Sequence, residues 1–173
     1  MSPSDETDFR AMVQELTDEL ELRRLVARVN YTTDSAGTPE SYADLFTEDA
    51  LIEDPDTGPG GKIAFDKTEP YDRGRLGIID RQRRIQRAGP YGRGVDSVHC
   101  TAASLIEIDD DTATGRSIGL AYHHTAAEGN DKELVRIVRY FDTFRRTPDG
   151  WKIARRVITH GEIPLEGDPL GIP

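Results

Sequence analysis

The chain has 173 residues and a mass of 19.3 kDa, with 36% hydrophobic and 31% charged residues. That suffices for one packed domain on the polar side of the globular range. The formal net charge of −10 argues against general affinity for nucleic acid or an anionic membrane. The single cysteine, Cys100, excludes an internal disulfide or a cysteine-rich zinc site and fits a reducing, cytoplasmic home.

The opening "MSPSDETDF" is polar and acidic, unlike a signal peptide, and no apolar run reaches bilayer-spanning length. A soluble protein is the expectation. The first predicted helix covers 17–34, "TDELELRRLVARVNYTTD", with Thr17 as N-cap and Leu22, Leu25, Val26 and Val29 at helical spacing. It ends on Asp34, an acid that opposes the helix dipole. A turn-forming role before Gly37 would also explain it. A second helix is predicted over 38–46, with Thr38 as N-cap, Pro39 at the first helical position, and Tyr42, Leu45 and Phe46 inward.

"ALIED", 50–54, reads as a short strand and "PDTGPGGK" as a loop. Residues 72–87 read as a helix weakened at its start by Gly74 and Gly77. With "GPYGRG" after it, this stretch concentrates arginine on an acidic chain. It is either a solvated or inter-subunit helix or a rim that attracts an anion.

Four strand-like segments follow, at 97–108, 112–126, 132–146 and 151–160, joined by the turn sequences "DDD", "EGND" and "TPDG". Helices first and a long antiparallel meander afterwards predict an α+β fold, a curled sheet whose concave side the N-terminal helices cover. The whole chain reads as one domain, with a core of about 18–160 and a tail of 161–173.

Strand 112–126 separates by parity into a row of small residues, Ala113, Gly115, Ser117, Gly119, Ala121, ending in His123, and a bulkier row ending in His124. Small residues on a curved sheet either leave room for a ligand or let helices pack closely. If the row faces a pocket, His123 lies on its wall and His124 faces away. In strand 132–146, Tyr140, Asp142 and Phe144 share a parity. Asp142 is there for the pocket or to pair with Arg145, Arg146, Arg155 or Arg156.

A helix ending in Asp34, then "YADLFTEDA", a histidine in "DSVHC", "TATGR" and "RTPDGWKIARRV" together resemble the SnoaL-like group of the nuclear-transport-factor-like superfamily, over residues 18–160. The resemblance implies a cone-shaped α+β fold with a deep central pocket, and a homo-oligomer, dimer or trimer. Its members include scytalone dehydratase, a bile-acid dehydratase, hexachlorocyclohexane dehydrochlorinase, ketosteroid isomerase, polyketide cyclases and non-enzymatic binders. The dehydratase and dehydrochlorinase branches are the most similar. They pair a histidine with an aspartate at the end of the first long helix, here His99 and Asp34. His123 falls on the position of a second pocket histidine, and Arg156 on that of a pocket arginine.

The family tyrosine ahead of the helix aspartate has no clean match, since Tyr31 is three residues before Asp34. The pocket asparagine is replaced near Tyr140. A second pocket aspartate falls on Ala121. The substrate is therefore expected to be neither scytalone nor a bile acid.

The implied activity is a cofactor-independent lyase, a dehydratase or related eliminating enzyme acting on a small cyclic substrate. Elimination needs a base for a carbon-bound proton and a donor for the leaving group. Histidine suits the first task because its ordinary pKa is near neutrality. A carboxylate on the other ring nitrogen fixes the tautomer and stabilises the imidazolium. Asp34 and His99 would form that dyad, with His123, Tyr31 or Tyr42 as donors and Arg156 holding developing charge. Tyr140 and Asp142 complete the expected substrate-binding set.

The alternatives are a cyclase, isomerase or epoxide-opening enzyme in the same pocket, with Asp34 or Asp142 as acid–base, or a binder without chemistry. A metal site from His99, His123 and a carboxylate lacks the usual HxH or HxxxH spacing, so no metal and no cofactor are expected. Cys100 neighbours His99 on a strand and so points away from it.

Overall fold

The computed structural model describes residues 3–34, 37–54, 71–88, 95–127 and 130–160. Its first helix, α1 (Pro3–Asp34), begins fourteen residues before the predicted start at Thr17. Thr17 caps nothing: it lies inside the helix, and its hydroxyl donates to the Val13 carbonyl at 2.8 Å. No glycine interrupts 3–34 and proline stands only at its first position, where a missing N–H is harmless. Burial begins at Asp18 and continues through Leu22, Leu25, Val26 and Val29. The apolar stripe thus marked where the helix is covered, and the helix itself runs further out.

Helix α2 (Pro39–Ala43) has the predicted cap, the Thr38 hydroxyl accepting from the Ser41 N–H at 3.1 Å. It stops three residues early, because the chain turns at Asp44 and Leu45 and enters β1 (Phe46–Glu53) at Phe46. After β2 (Tyr71–Arg73) comes α3 (Gly74–Ala88), followed by β3 (Val95–Asp109), β4 (Thr112–Ala127), β5 (Asn130–Thr147) and β6 (Gly150–His160). The "PDTGPGGK" loop, the "GPYGRG" stretch and the tail 161–173 lie outside the described residues, as does part of the "EGND" turn.

One six-stranded curved sheet results, in the order β2-β1-β6-β5-β4-β3, open between its two ends. The predicted antiparallel meander is present from β3 to β6. One pairing departs from it: β1 joins β6 in parallel, Ile52 opposite Arg156, so the sheet is mixed. The α+β cone arrangement stands. Helix α1 packs on β3 and β6, while α3 packs on β1 and β2. Apolar side chains from α1, α2, α3 and one sheet face make a single core that includes Leu22, Tyr42, Ile78, Phe144, Trp151 and Ile153.

Two irregularities help bend this sheet, each at an alanine. On β3, Thr101 faces Gly119 and Ala103 faces Ile118, so Ala102 is an extra residue. On β6, Thr143 and Phe144 face Arg155 and Ile153, so Ala154 is extra. A bulge of this kind bends the strand and reverses the facing of everything beyond it. It turns Leu105 outward, 69% exposed, and brings Ser104 and Ile106 to the inner face.

The small residues of β4 are explained by the sheet itself rather than by the helices. A Cβ on Gly115 would lie 2.7 Å from the Phe144 ring of β5, and one on Gly119 would lie 2.7 Å from the Cys100 carbonyl of β3. The Ser117 hydroxyl meets that of Ser104 at 2.9 Å.

Candidate active site

Strand β3 is the outer strand at one end of the sheet, so one side of its backbone has no strand to bond. The C-terminal end of α1 lies against that side. Asp34, the last residue of the helix, accepts from the His99 backbone N–H through Oδ2 and meets His99 Nδ1 through Oδ1, both at 2.5 Å. Both side chains are mostly buried, 15% exposed for Asp34 and 20% for His99. One turn earlier, Asn30 donates to the Thr101 hydroxyl at 2.5 Å, a second tie between helix and strand on the same face as His99.

His99 pairs across the ladder with Ala121, so it shares the face of the small-residue row. In the same register His123 sits opposite Ser97, two positions further along β4. The side chain of His123 lies outside the described residues, as does that of His124.

Three other predicted residues come together on the neighbouring strands. Arg156 and Asp142, paired in register, form a bidentate ion pair with both contacts at 2.7 Å. Both are buried, with 1% and 0% exposure. The Arg156 guanidinium lies 4.8 Å from the centroid of the Tyr140 ring. Arg155 faces the other way and pairs with Glu53 at 2.8 Å. The extra residue Ala154 selects Arg156 for the inner face, since strict alternation from Trp151 and Ile153 would have put Arg155 there.

Tyr42 approaches from α2, its ring tilted against that of Phe46 with centroids 5.1 Å apart. Burial raises the pKa of its phenol, partly offset by the positive charge of Arg156. Burial also raises that of Tyr140, again offset by Arg156, while Tyr42 and the Asp142 carboxylate push it further up. Both phenols therefore stay protonated donors near neutrality, and neither hydroxyl has a hydrogen-bond partner among the described residues. Tyr31 is not part of this gathering: it is 74% exposed, on the outward side of α1.

Among the described side chains of α3, four arginines are paired with carboxylates. Arg81 is buried against Asp54 at 2.6 Å, and Arg84 bonds Asp72. Arg83 reaches Glu40 at 2.8 Å and Arg75 reaches Asp44 at 2.7 Å. Each is neutralised by a carboxylate from α2, β1, β2 or the adjoining turn. Sequence reading also missed Asp18. It is buried under a bidentate contact from Arg146, both bonds at 2.7 Å, with the Trp151 indole N–H at 2.9 Å. The signal available was its place on the buried stripe, four residues before Leu22.

Helices covering one face of a mixed, curved, unclosed six-stranded sheet are the architecture of the α+β cone class of nuclear-transport-factor-like folds. The chain belongs to the SnoaL-like domain family, whose model matches residues 14–157. No curated protein matches it. Among solved structures, it is similar to a nuclear-transport-factor-2-like protein of cystatin-like fold from Novosphingobium aromaticivorans. The identity is 24% over 98% of this chain and 96% of that one, with a TM-score of 0.67. A protein of the same organism, described as a candidate scytalone dehydratase, is 22% identical over 94% and 99% of the two chains, with a TM-score of 0.64. A variant of Rv3472 from Mycobacterium tuberculosis, of unknown function, is 25% identical over 94% and 78%, with a TM-score of 0.61.

Proposed function

We propose that the protein is a cofactor-independent lyase that eliminates water, or a similar leaving group, from a small cyclic substrate. The observation that carries this reading is the double contact of Asp34 with His99. In the proposed step, His99 takes a proton from carbon α to a carbonyl through Nε2, the ring nitrogen that Asp34 does not engage. Asp34 stabilises the imidazolium as it forms. The electron pair released forms the new C=C bond and expels the β-hydroxyl, which leaves as water with a proton from a phenol or from the imidazolium. Tyr140 and Tyr42 are assigned as donors and His123 as an assisting group. Arg156, held by Asp142, supplies positive potential beneath Tyr140.

Isomerisation or cyclisation in the same place uses the same base. A version with Asp142 as acid–base is disfavoured, because Asp142 is buried and bonded by both oxygens to Arg156. The Asp34 contact with the His99 ring, beyond its docking contact with the backbone N–H, favours chemistry over binding alone. A cytoplasmic, homo-oligomeric protein taking only a small-molecule substrate completes the proposal.

The test is a panel of cyclic β-hydroxy ketones, followed by absorbance of the conjugated enone. The expected result is enone formation by the wild-type protein and its loss in His99→Ala. Enone formation that is unchanged in His99→Ala, or absent with the whole panel, overturns the reading.

A further inference from the structure

We infer that Thr101 is a further catalytic residue, its hydroxyl donating to the substrate carbonyl while His99 removes the neighbouring α-proton, and that Asn30 orients it. The inference rests on the elimination reading and adds to it the group that carries the charge of the enolate. Thr101 stands two residues after His99 and just before the extra residue Ala102, so the two share the inner face of β3. Asn30, buried at 8% exposure, donates through Nδ2 to Thr101 Oγ1 at 2.5 Å. The hydroxyl oxygen is thus the acceptor toward α1, and its own hydrogen must point elsewhere. That hydrogen has no acceptor among the described residues. By contrast, the neighbouring inner-face hydroxyls of Ser104 and Ser117 engage each other at 2.9 Å. An oxygen held in place with its proton unspent is what a preorganised donor to a developing oxyanion needs.

The strands around Thr101 fit a flat ring. Across β4, Thr101 and His99 face Gly119 and Ala121, so no side chain larger than a methyl group stands there. On the far side β5 sets Val138 opposite Gly119 and Tyr140 opposite Ser117. The strip between β3 and β5 is about 10 Å wide, enough for one six-membered ring with its substituents. A ring with its carbonyl at Thr101 brings its α-carbon to His99 on the same strand. Its far edge, with the leaving hydroxyl, turns toward Tyr140. In the step, His99 Nε2 takes the α-proton and the electron pair moves onto the carbonyl oxygen, which the Thr101 O–H binds more strongly as it becomes negative. The pair then returns to form the C=C bond, and the β-hydroxyl leaves as water with the Tyr140 proton. The proton on His99 restores the phenol through solvent.

The test combines steady-state turnover of the cyclic β-hydroxy ketones with binding of para-nitrophenolate, a planar ring oxyanion followed by its absorbance. Thermal unfolding is the folding control. Thr101→Val is expected to lower kcat about a hundredfold with KM nearly unchanged, because the bond is made to charge that develops in the transition state. Thr101→Ser, which keeps the hydroxyl, should recover most of that loss. Asn30→Ala leaves the hydroxyl in place and should cost only a few-fold. Thr101→Val strands the Asn30 N–H, so Thr101→Val with Asn30→Leu is measured beside it and should show the same loss of kcat at nearly the wild-type unfolding temperature. Para-nitrophenolate should bind Thr101→Val about tenfold more weakly than wild type. A Thr101→Val turnover no lower than that of Asn30→Ala overturns the inference and leaves the hydroxyl as a tie between helix and strand. If the wild-type protein forms no enone at all, the elimination reading fails and phenolate binding alone decides for Thr101. Equal or absent binding in wild type and Thr101→Val then overturns its assignment as the oxyanion donor, and weaker binding in the variant upholds it.

Discussion

Asp34 grips His99 at two atoms, one oxygen on the backbone N–H and the other on Nδ1 of the ring, each at 2.5 Å. The same carboxylate thus docks the helix end to the outer strand and sets the imidazole's orientation. In the proposed mechanism Nδ1 carries its proton toward Asp34, which leaves Nε2 as the acceptor that a general base requires.

His99→Ala and Asp34→Asn are each expected to lower kcat/KM on the order of a thousandfold, in the range of a lost general base or its orienting partner. Asparagine can still accept from the backbone N–H, so Asp34→Asn should unfold at nearly the wild-type temperature. Steady-state kinetics with thermal unfolding checks both. Near-normal turnover in the two variants would remove the dyad from the mechanism.

Chelator treatment is expected to leave turnover unchanged. Among the described residues no three His, Cys, Asp or Glu side chains converge as a metal site. Loss of activity on chelation, followed by rescue with a divalent ion, would return His99 and Asp34 to the role of ligands.

Asp18 makes stability depend on acid. The Arg146 contact, opposed by burial and helped by the Trp151 N–H, pulls its carboxyl down to about 2 from an ordinary value of 3.8. A lowered folded-state value means stability that is present above the ordinary pKa and lost as pH falls from about 4 to about 2, on the order of 2 kcal/mol in all. Asp18→Asn should lose about that much at neutral pH. It should also flatten the stability profile between pH 4 and 2, read by urea unfolding at each pH. An unchanged slope would place the acid sensitivity elsewhere.

Breaking the Arg156–Asp142 pair should cost far more than removing it. Arg156→Met leaves a buried carboxylate without its partner, an expected loss of about 3–5 kcal/mol. Asp142→Leu together with Arg156→Met removes both charges, and most of that loss should return. Denaturant unfolding of the single and double variants measures the difference. A single-variant loss under about 1 kcal/mol would mean that water reaches the pair.

Much of the architecture was legible because it follows from local periodicity. The buried stripe from Leu22 to Val29, the Thr38 cap and the strand-turn-strand runs from β3 to β6 can each be read from adjacent residues. The long projection of α1 was not, because its apolar residues Phe9, Met12, Val13, Leu16 and Leu20 are not buried in their own chain. The arginines of α3 misled for a related reason. Their partners Asp54, Asp72 and Glu40 come from other elements, and composition alone cannot distinguish a neutralised charge from a solvated one.

The sequence by itself determined the element types, the family and the nomination of Asp34 and His99, because these rest on spacing along the chain. Only the tertiary structure decided which side chains face which way. Strict alternation assigns a whole strand from any one residue, yet Ala102 and Ala154 each insert an extra step. Beyond them the facing reverses, turning Leu105 to solvent and Arg156 inward onto Asp142. A bulge depends on how two strands accommodate each other's backbones, so nothing within one strand announces it. The contact between Asp34 and His99 is of the same kind, two residues sixty-five positions apart that meet only because a helix end closes the open side of a strand.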